Sequence, residues 1–82
     1  MYNNKIIGLG GVRKIRSIKK GDLFKDRNYS KATGVPFVYK IVRKYDKDEW
    51  LADRYVDGKY EGDIYLKKSV IQRNMTRVYK IK

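Results

Sequence analysis

Residues 37–66 read FVYKIVRKYDKDEWLADRYVDGKYEGDIYL, and their period decides the fold. Phe37, Tyr39, Ile41 and Tyr45 fall on one side of a two-residue repeat, with Val38, Lys40, Val42 and Lys44 on the other. Alternation rich in aromatic and β-branched residues predicts a strand with one face toward a core. Asp46-Lys47-Asp48 interrupts it with turn-favouring residues, and Trp50 to Val56 resumes as a second strand. Asp57-Gly58 follows. A type I′ turn needs positive φ at both central positions, and Asp-Gly supplies it, so a tight hairpin is predicted here. Tyr60, Gly62, Ile64 and Leu66 then form the predicted inner row of a third strand.

Outward from this core the pattern weakens. Residues 67–74 (KKSVIQRN) lose the alternation and predict one short helical or 3₁₀ turn ending near Asn74, before a last strand from Met75 to Ile81. Upstream, Gly21-Asp22-Leu23-Phe24 predicts a turn feeding a short strand, and 25–36 reads as a polar loop ending at Pro36. Val12, Ile15 and Ile18 are spaced by three, which suits a helical turn, but Gly8, Gly10 and Gly11 oppose a long helix. Residues 1–11 are expected to be extended or mobile.

The resulting order is short strand, long loop, three strands joined by two turns, a 3₁₀-like turn and a final strand. This layout over roughly residues 20–82 resembles SH3-like small β-barrels. The resemblance rests on strand count and loop lengths, and it implies a mainly β fold closed as a barrel of about five strands. Such barrels host nucleic-acid binding, peptide binding and scaffolding alike, so the fold does not choose among them. Residues 29–44 (YSKATGVPFVYKIVRK) also resemble the helix-turn-helix core of bacterial repressors, with Ala-Thr-Gly-Val at the turn. That family usually buries an apolar residue six positions after the turn glycine, where this chain has Lys40. The Asp-Gly hairpin suits no helix bundle, so a winged helical fold is the lesser alternative.

Composition narrows the function. The 82 residues, expected to form a single domain, hold 21 Lys and Arg against 9 Asp and Glu, for a net charge of +12. A chain this short has a narrow stability margin, and its self-repulsion favours salt. With 41% apolar and 13% aromatic residues it still has the material for a core. There is no cysteine and no histidine. Disulfides, the usual zinc ligand sets, thiol nucleophiles and imidazole acid–base chemistry are therefore excluded. Neither a membrane span nor a signal-peptide h-region is visible, so the expectation is a cytoplasmic protein without a membrane partner. The abundance of Lys, Ile, Asn and Tyr hints at an AT-rich source, a bacterium or its phage.

The distribution of charge says more than its total. Residues 1–21 carry Lys5, Arg13, Lys14, Arg16, Lys19 and Lys20 and no acid; residues 67–82 carry Lys67, Lys68, Arg73, Arg77, Lys80 and Lys82 and no acid. Seven carboxylates, Asp46, Asp48, Glu49, Asp53, Asp57, Glu61 and Asp63, fall within 46–66. If the termini meet, one face holds a strong positive field, the footprint of a phosphate-backbone binder. Arg13, Lys14, Arg16, Lys19 and Lys20 are the leading candidates for DNA or RNA contact. Ile15 and Ile18 would pin that run to the fold. Lys67, Lys68, Arg73 and Lys80 would extend it, and Lys40 and Lys44 would carry it across the sheet. Read blandly, each of these is a solvated surface cation.

The aromatic residues divide in the same way. Trp50 and Tyr39 are expected in the core, whereas Tyr55 and Tyr65 fall on the opposite parity and are expected outside. Their acidic neighbours make a protein partner the natural target for these two rings. The rival function is therefore a protein-interaction module docking on an acidic or nucleic-acid-binding surface of a partner. Gly8-Leu9-Gly10-Gly11 imitates a phosphate loop, but it lacks both the βαβ unit and the Gly-Lys-Ser/Thr that such sites need. Asp46, Asp48 and Glu49 read as a solvated turn rather than a cation loop, since the spacing is not that of an EF-hand. Asp63 and Lys67 would have to be forced into a nuclease site. No enzyme activity, cofactor or metal is expected.

Overall fold

The computed structural model describes residues 15 and 17–81. The elements in chain order are β1 (Leu23–Asp26), α1 (Arg27–Thr33), β2 (Phe37–Asp46), β3 (Glu49–Val56), β4 (Lys59–Lys67), α2 (Lys68–Asn74) and β5 (Met75–Val78). All neighbouring strands are antiparallel, in the order β4-β3-β2-β1-β5. The fold is mainly β, as the alternation predicted.

The sheet does not close into the barrel that the SH3-like layout implied. β4 and β5 are its two edges, and α2 joins the end of one to the start of the other. Residues 68–74 take up helical hydrogen bonds, which stops β4 at Lys67. β5 is four residues long, ending at Val78 rather than Ile81, and all four pair with β1.

Ladder partners share a face, so the register separates the sheet into two sides. Phe24, Tyr39, Ile41, Ala52, Leu66 and Met75 form the inner side and are buried together with Ile71 of α2 and Ile15. Ile18, Phe37, Trp50 and Ile64 pack against this cluster. Phe24 and Ile71 are 0% exposed and Ile41 1%. Among the described residues no helix is long and apolar enough to cross a membrane.

Two local features set which residues face in. β2 carries an extra residue between Ile41 and Arg43 and another between Lys44 and Asp46. Each β-bulge reverses the alternation beyond it. Tyr45, expected inside, is consequently 52% exposed. Lys44, expected opposite the aromatic row, pairs with Trp50 and lies with its Nζ 5.5 Å from that ring. β4 has its own extra residue between Tyr60 and Asp63, accommodated at Gly62 with φ +95°. Tyr60 is turned outward by it, while Ile64 and Leu66 face inward as predicted. The hairpin at Asp57-Gly58 has φ of 52° and 84°, the two positive values a type I′ turn requires.

Residues 25–36 are not a polar loop. Asp26 caps α1 by accepting from the Tyr29 amide at 2.8 Å, and Gly34, at φ 78°, ends it by donating to the Ser30 carbonyl. No residue of this seven-residue helix is buried, so it lacks the apolar stripe that would reveal it in the sequence. The helix-turn-helix alternative is overturned by the next element: residues 37–46, where its recognition helix would lie, are β2.

Ile71 is the one buried residue of α2. Ile71→Ala is expected to lower the unfolding free energy by about 2–4 kcal/mol, read as a drop in the urea midpoint at constant m-value. A loss under about 1 kcal/mol would mean that α2 does not seal the inner face.

Candidate nucleic-acid interface

In an antiparallel sheet alternate strands end where their neighbours begin. Here the start of β1, the end of β2, the start of β3 and the ends of β4 and β5 therefore share one end of the sheet. Lys19 and Lys20 lie in the turn entering β1, Lys44 near the end of β2 and Lys67 at the end of β4. Lys68 opens α2, and Lys80 follows β5 by two residues.

Backbone bonds hold these segments in place. Gly21 donates to the Ile41 carbonyl at 2.8 Å, and Ile41 donates back to Asp22 at 2.9 Å, clamping the lysine turn to β2. Lys68 donates to the Asp48 carbonyl at 2.8 Å and ties the β4–α2 junction to the first hairpin.

That hairpin brings acids to the same end. Asp46, Asp48 and Glu49, with Lys47 among them, lie at the same end as those six lysines, and Glu49 lies directly opposite Lys67 in the ladder. The corner made by β1 and β5, with Lys19, Lys20 and Lys80, is less compensated. Its acid, Asp22, is already engaged by Arg77 at 2.9 Å. Burial pushes the Asp22 carboxyl up. The Arg77 hydrogen bond, the Lys19 amide and the charges of both residues outweigh that effect and hold it below 3.8. Arg77 also donates to the Ser17 carbonyl at 2.7 Å and stacks its guanidinium 5.0 Å from the Phe24 ring. Next to it, Ile15 donates to Gln72 Oε1 at 2.9 Å, and Gln72 Nε2 donates back to the Ile15 carbonyl. Ile15 and Ser17 are thereby fastened to α2 and β5, respectively. Arg13, Lys14 and Arg16 of the basic run lie outside the described residues.

One predicted cation, Arg73, lies elsewhere, in the last turn of α2 near the opposite end of the sheet. Lys40 pairs with Leu23 at the start of β1 but lies on the outer face, beside Asp53 and with Asp63 one strand further. Asp53 and Asp63 face each other across the ladder. Burial, then the hydrogen bond and charge of Asp63, raise Asp53 above 3.8, with Lys40 opposing. The Tyr60 hydroxyl, donating at 2.6 Å, and the bond from Asp53 lower Asp63. Mainly through that same hydrogen bond, the Tyr60 hydroxyl is pushed up to about 12.

The outer face is richer in aromatics than the parity suggested. Tyr65 is 50% exposed and lies 4.4 Å from the Tyr45 ring, and Tyr55 meets Tyr60 edge-on at 5.8 Å. Tyr45 and Tyr60 were missed because bulges placed them there; Gly62 inside a strand was the available signal. Among the described residues no group of three or more acidic side chains gathers as a metal site. No protein-family model, curated protein or solved structure matches the chain.

The Asp22 carboxyl is lowered on folding, so it stabilises the protein above its unfolded value of 3.8, and that contribution is lost as pH falls through the folded value. Asp22→Asn is expected to cost about 0.5–1 kcal/mol at neutral pH, with the gap to the parent closing in acid, measured by urea titration across pH. A gap unchanged in acid would assign the effect to the turn's hydrogen bonds instead of the charge.

Proposed function

We propose that this protein binds nucleic acid, DNA or RNA, mainly through the phosphate backbone. The observation that carries the reading is the meeting at one sheet end of lysines from the β1 turn, β2, the β4–α2 junction and the tail after β5. Cations held by separate backbone clamps repel one another unless anions lie among them. A polyphosphate track supplies those anions and gains entropy from the counterions it releases. In the sequence Arg13, Lys14 and Arg16 flank Ile15, which is fastened to α2. Five antiparallel strands with a helical turn before the last support an SH3-like architecture, a frame compatible with this role.

A second reading has its own observation. The outer face presents Tyr45, Tyr55, Tyr60 and Tyr65 among charges of both signs, including Lys40, Arg43, Asp53 and Asp63. A balanced face with Tyr65 exposed and Tyr55 half-buried beside Tyr60 suits a protein partner with an acidic or mixed surface better than a phosphate chain.

Fluorescence anisotropy with single- and double-stranded DNA and RNA oligomers across a salt series tests the first reading. The expected result is submicromolar affinity, with a log–log salt slope of about 0.7–0.9 for each phosphate engaged. Replacing Lys19, Lys20 and Lys80 with Ala should weaken all sequences alike and flatten the slope. Tyr65→Ala should leave binding unchanged. Binding that disappears at physiological salt, or a strong effect of Tyr65→Ala with none from the lysines, would move the function to the protein-binding reading.

A further inference from the structure

A cleft of about 450 Å³ lies between α1 and the start of β2, at the end of the sheet opposite the lysines described above. Lys25, Arg27 and Lys31 line it together with Ser30, Val35 and Pro36, and no carboxylate among the described residues is part of its wall. Asp26, the acid nearest in sequence, is buried and occupied as the cap of α1.

Arg27 is the fixed element. Its Nη1 donates to the Met75 carbonyl and to Thr76 Oγ1, both at 2.9 Å, and its Nη2 donates to the Arg73 carbonyl at 2.6 Å. These acceptors are uncharged, so they orient the guanidinium without neutralising it. A guanidinium already ordered gives up little entropy when it meets an anion. Lys25 projects from the outer side of β1 between Val38 and Thr76, and Lys31 is exposed on α1. The Ser30 oxygen accepts from the Phe37 amide at 3.0 Å, which leaves its hydroxyl hydrogen to donate. Two α1 carbonyls are engaged within the helix and its cap: Tyr29 accepts from Thr33 Oγ1 and Ser30 from the Gly34 amide.

Three cations around one space overcompensate the single charge of a phosphodiester. They match a phosphate monoester, which carries roughly −1.5 to −2 at neutral pH and presents three acceptor oxygens. The cleft is also larger than a phosphate, and Val35 and Pro36 give it an apolar wall for the attached sugar or base. We propose that the cleft between α1 and β2 binds a phosphate monoester, either the terminal phosphate of a nucleic-acid strand or that of a free nucleotide. The site is separate from the lysine-rich end and does not depend on it.

The test uses the full chain and its Lys25→Gln/Lys31→Gln variant, which leaves the bonds of Arg27 intact. Two short DNA single strands, labelled at the 3′ end and differing only in a 5′-phosphate or 5′-hydroxyl, are titrated by anisotropy. Adenosine monophosphate is titrated separately while backbone amide shifts are followed by NMR. A preference of about fivefold for the phosphorylated strand, abolished by the double variant, supports the site with a strand end as its ligand. Saturable shifts at Ser30, Lys31 and Gly34 with the mononucleotide, absent in the variant, support it with a free nucleotide as the ligand. No preference between strands together with no shifts at these amides overturns the proposal. Affinity for the 5′-hydroxyl strand reports on the lysine-rich end alone, so the two readings fail separately.

Discussion

The burial of Ile71 beneath the sheet is the contact on which the rest of the structure depends. An open sheet exposes two faces, and the inner one carries Phe24, Ile41, Ala52 and Leu66, which water must be kept from. Among the described residues the cover consists of α2 with Ile15 and Ile18, and Ile71 is the single buried residue of the helix. The helix also carries the chain from one sheet edge to the other, so the packing of Ile71 is what delivers β5 to its place beside β1.

The second piece of cover is held by polar bonds. Gln72 exchanges two hydrogen bonds with the Ile15 backbone, and Arg77 bridges Asp22, the Ser17 carbonyl and the Phe24 ring. An arginine on the inner side of an edge strand thus keeps its charge at the rim while its stem lies over the core. The consequence is electrostatic as well as mechanical. Lys19 and Lys20 just before β1 and Lys80 just after β5 are drawn to one corner, which concentrates positive charge there. The outer face, where Asp53, Asp63 and Lys40 alternate with tyrosines, is left nearly balanced.

Much of this fold was legible locally. The two hairpins, the helical turn over 67–74 and the assignment of Trp50 and Tyr39 to the core follow from period and turn chemistry confined to a few neighbouring residues. α1 was not legible, because its evidence is a cap at Asp26 and a left-handed Gly34, with no apolar stripe between them. Of the candidate site, the signs and segments of the cations were readable. Their division between two ends of the sheet was not, and Arg73 and Lys40 could not be told apart from Lys68 and Lys44 by charge alone.

By itself the sequence determined a basic, mainly β protein with polycationic ends, because alternation, Asp-Gly turns and charge counts are properties of the chain before it pairs. Only the tertiary structure decided which side of the sheet each residue serves. Extra residues at 41–43 and 44–46 in β2 and at Gly62 in β4 each switch the alternation between the residues on either side of them, and a bulge is defined by two strands together rather than by either one. It likewise decided that Lys25, Arg27 and Lys31 surround a cleft, since Arg27 is aimed by carbonyls contributed by α2 and β5, more than forty residues away in the chain.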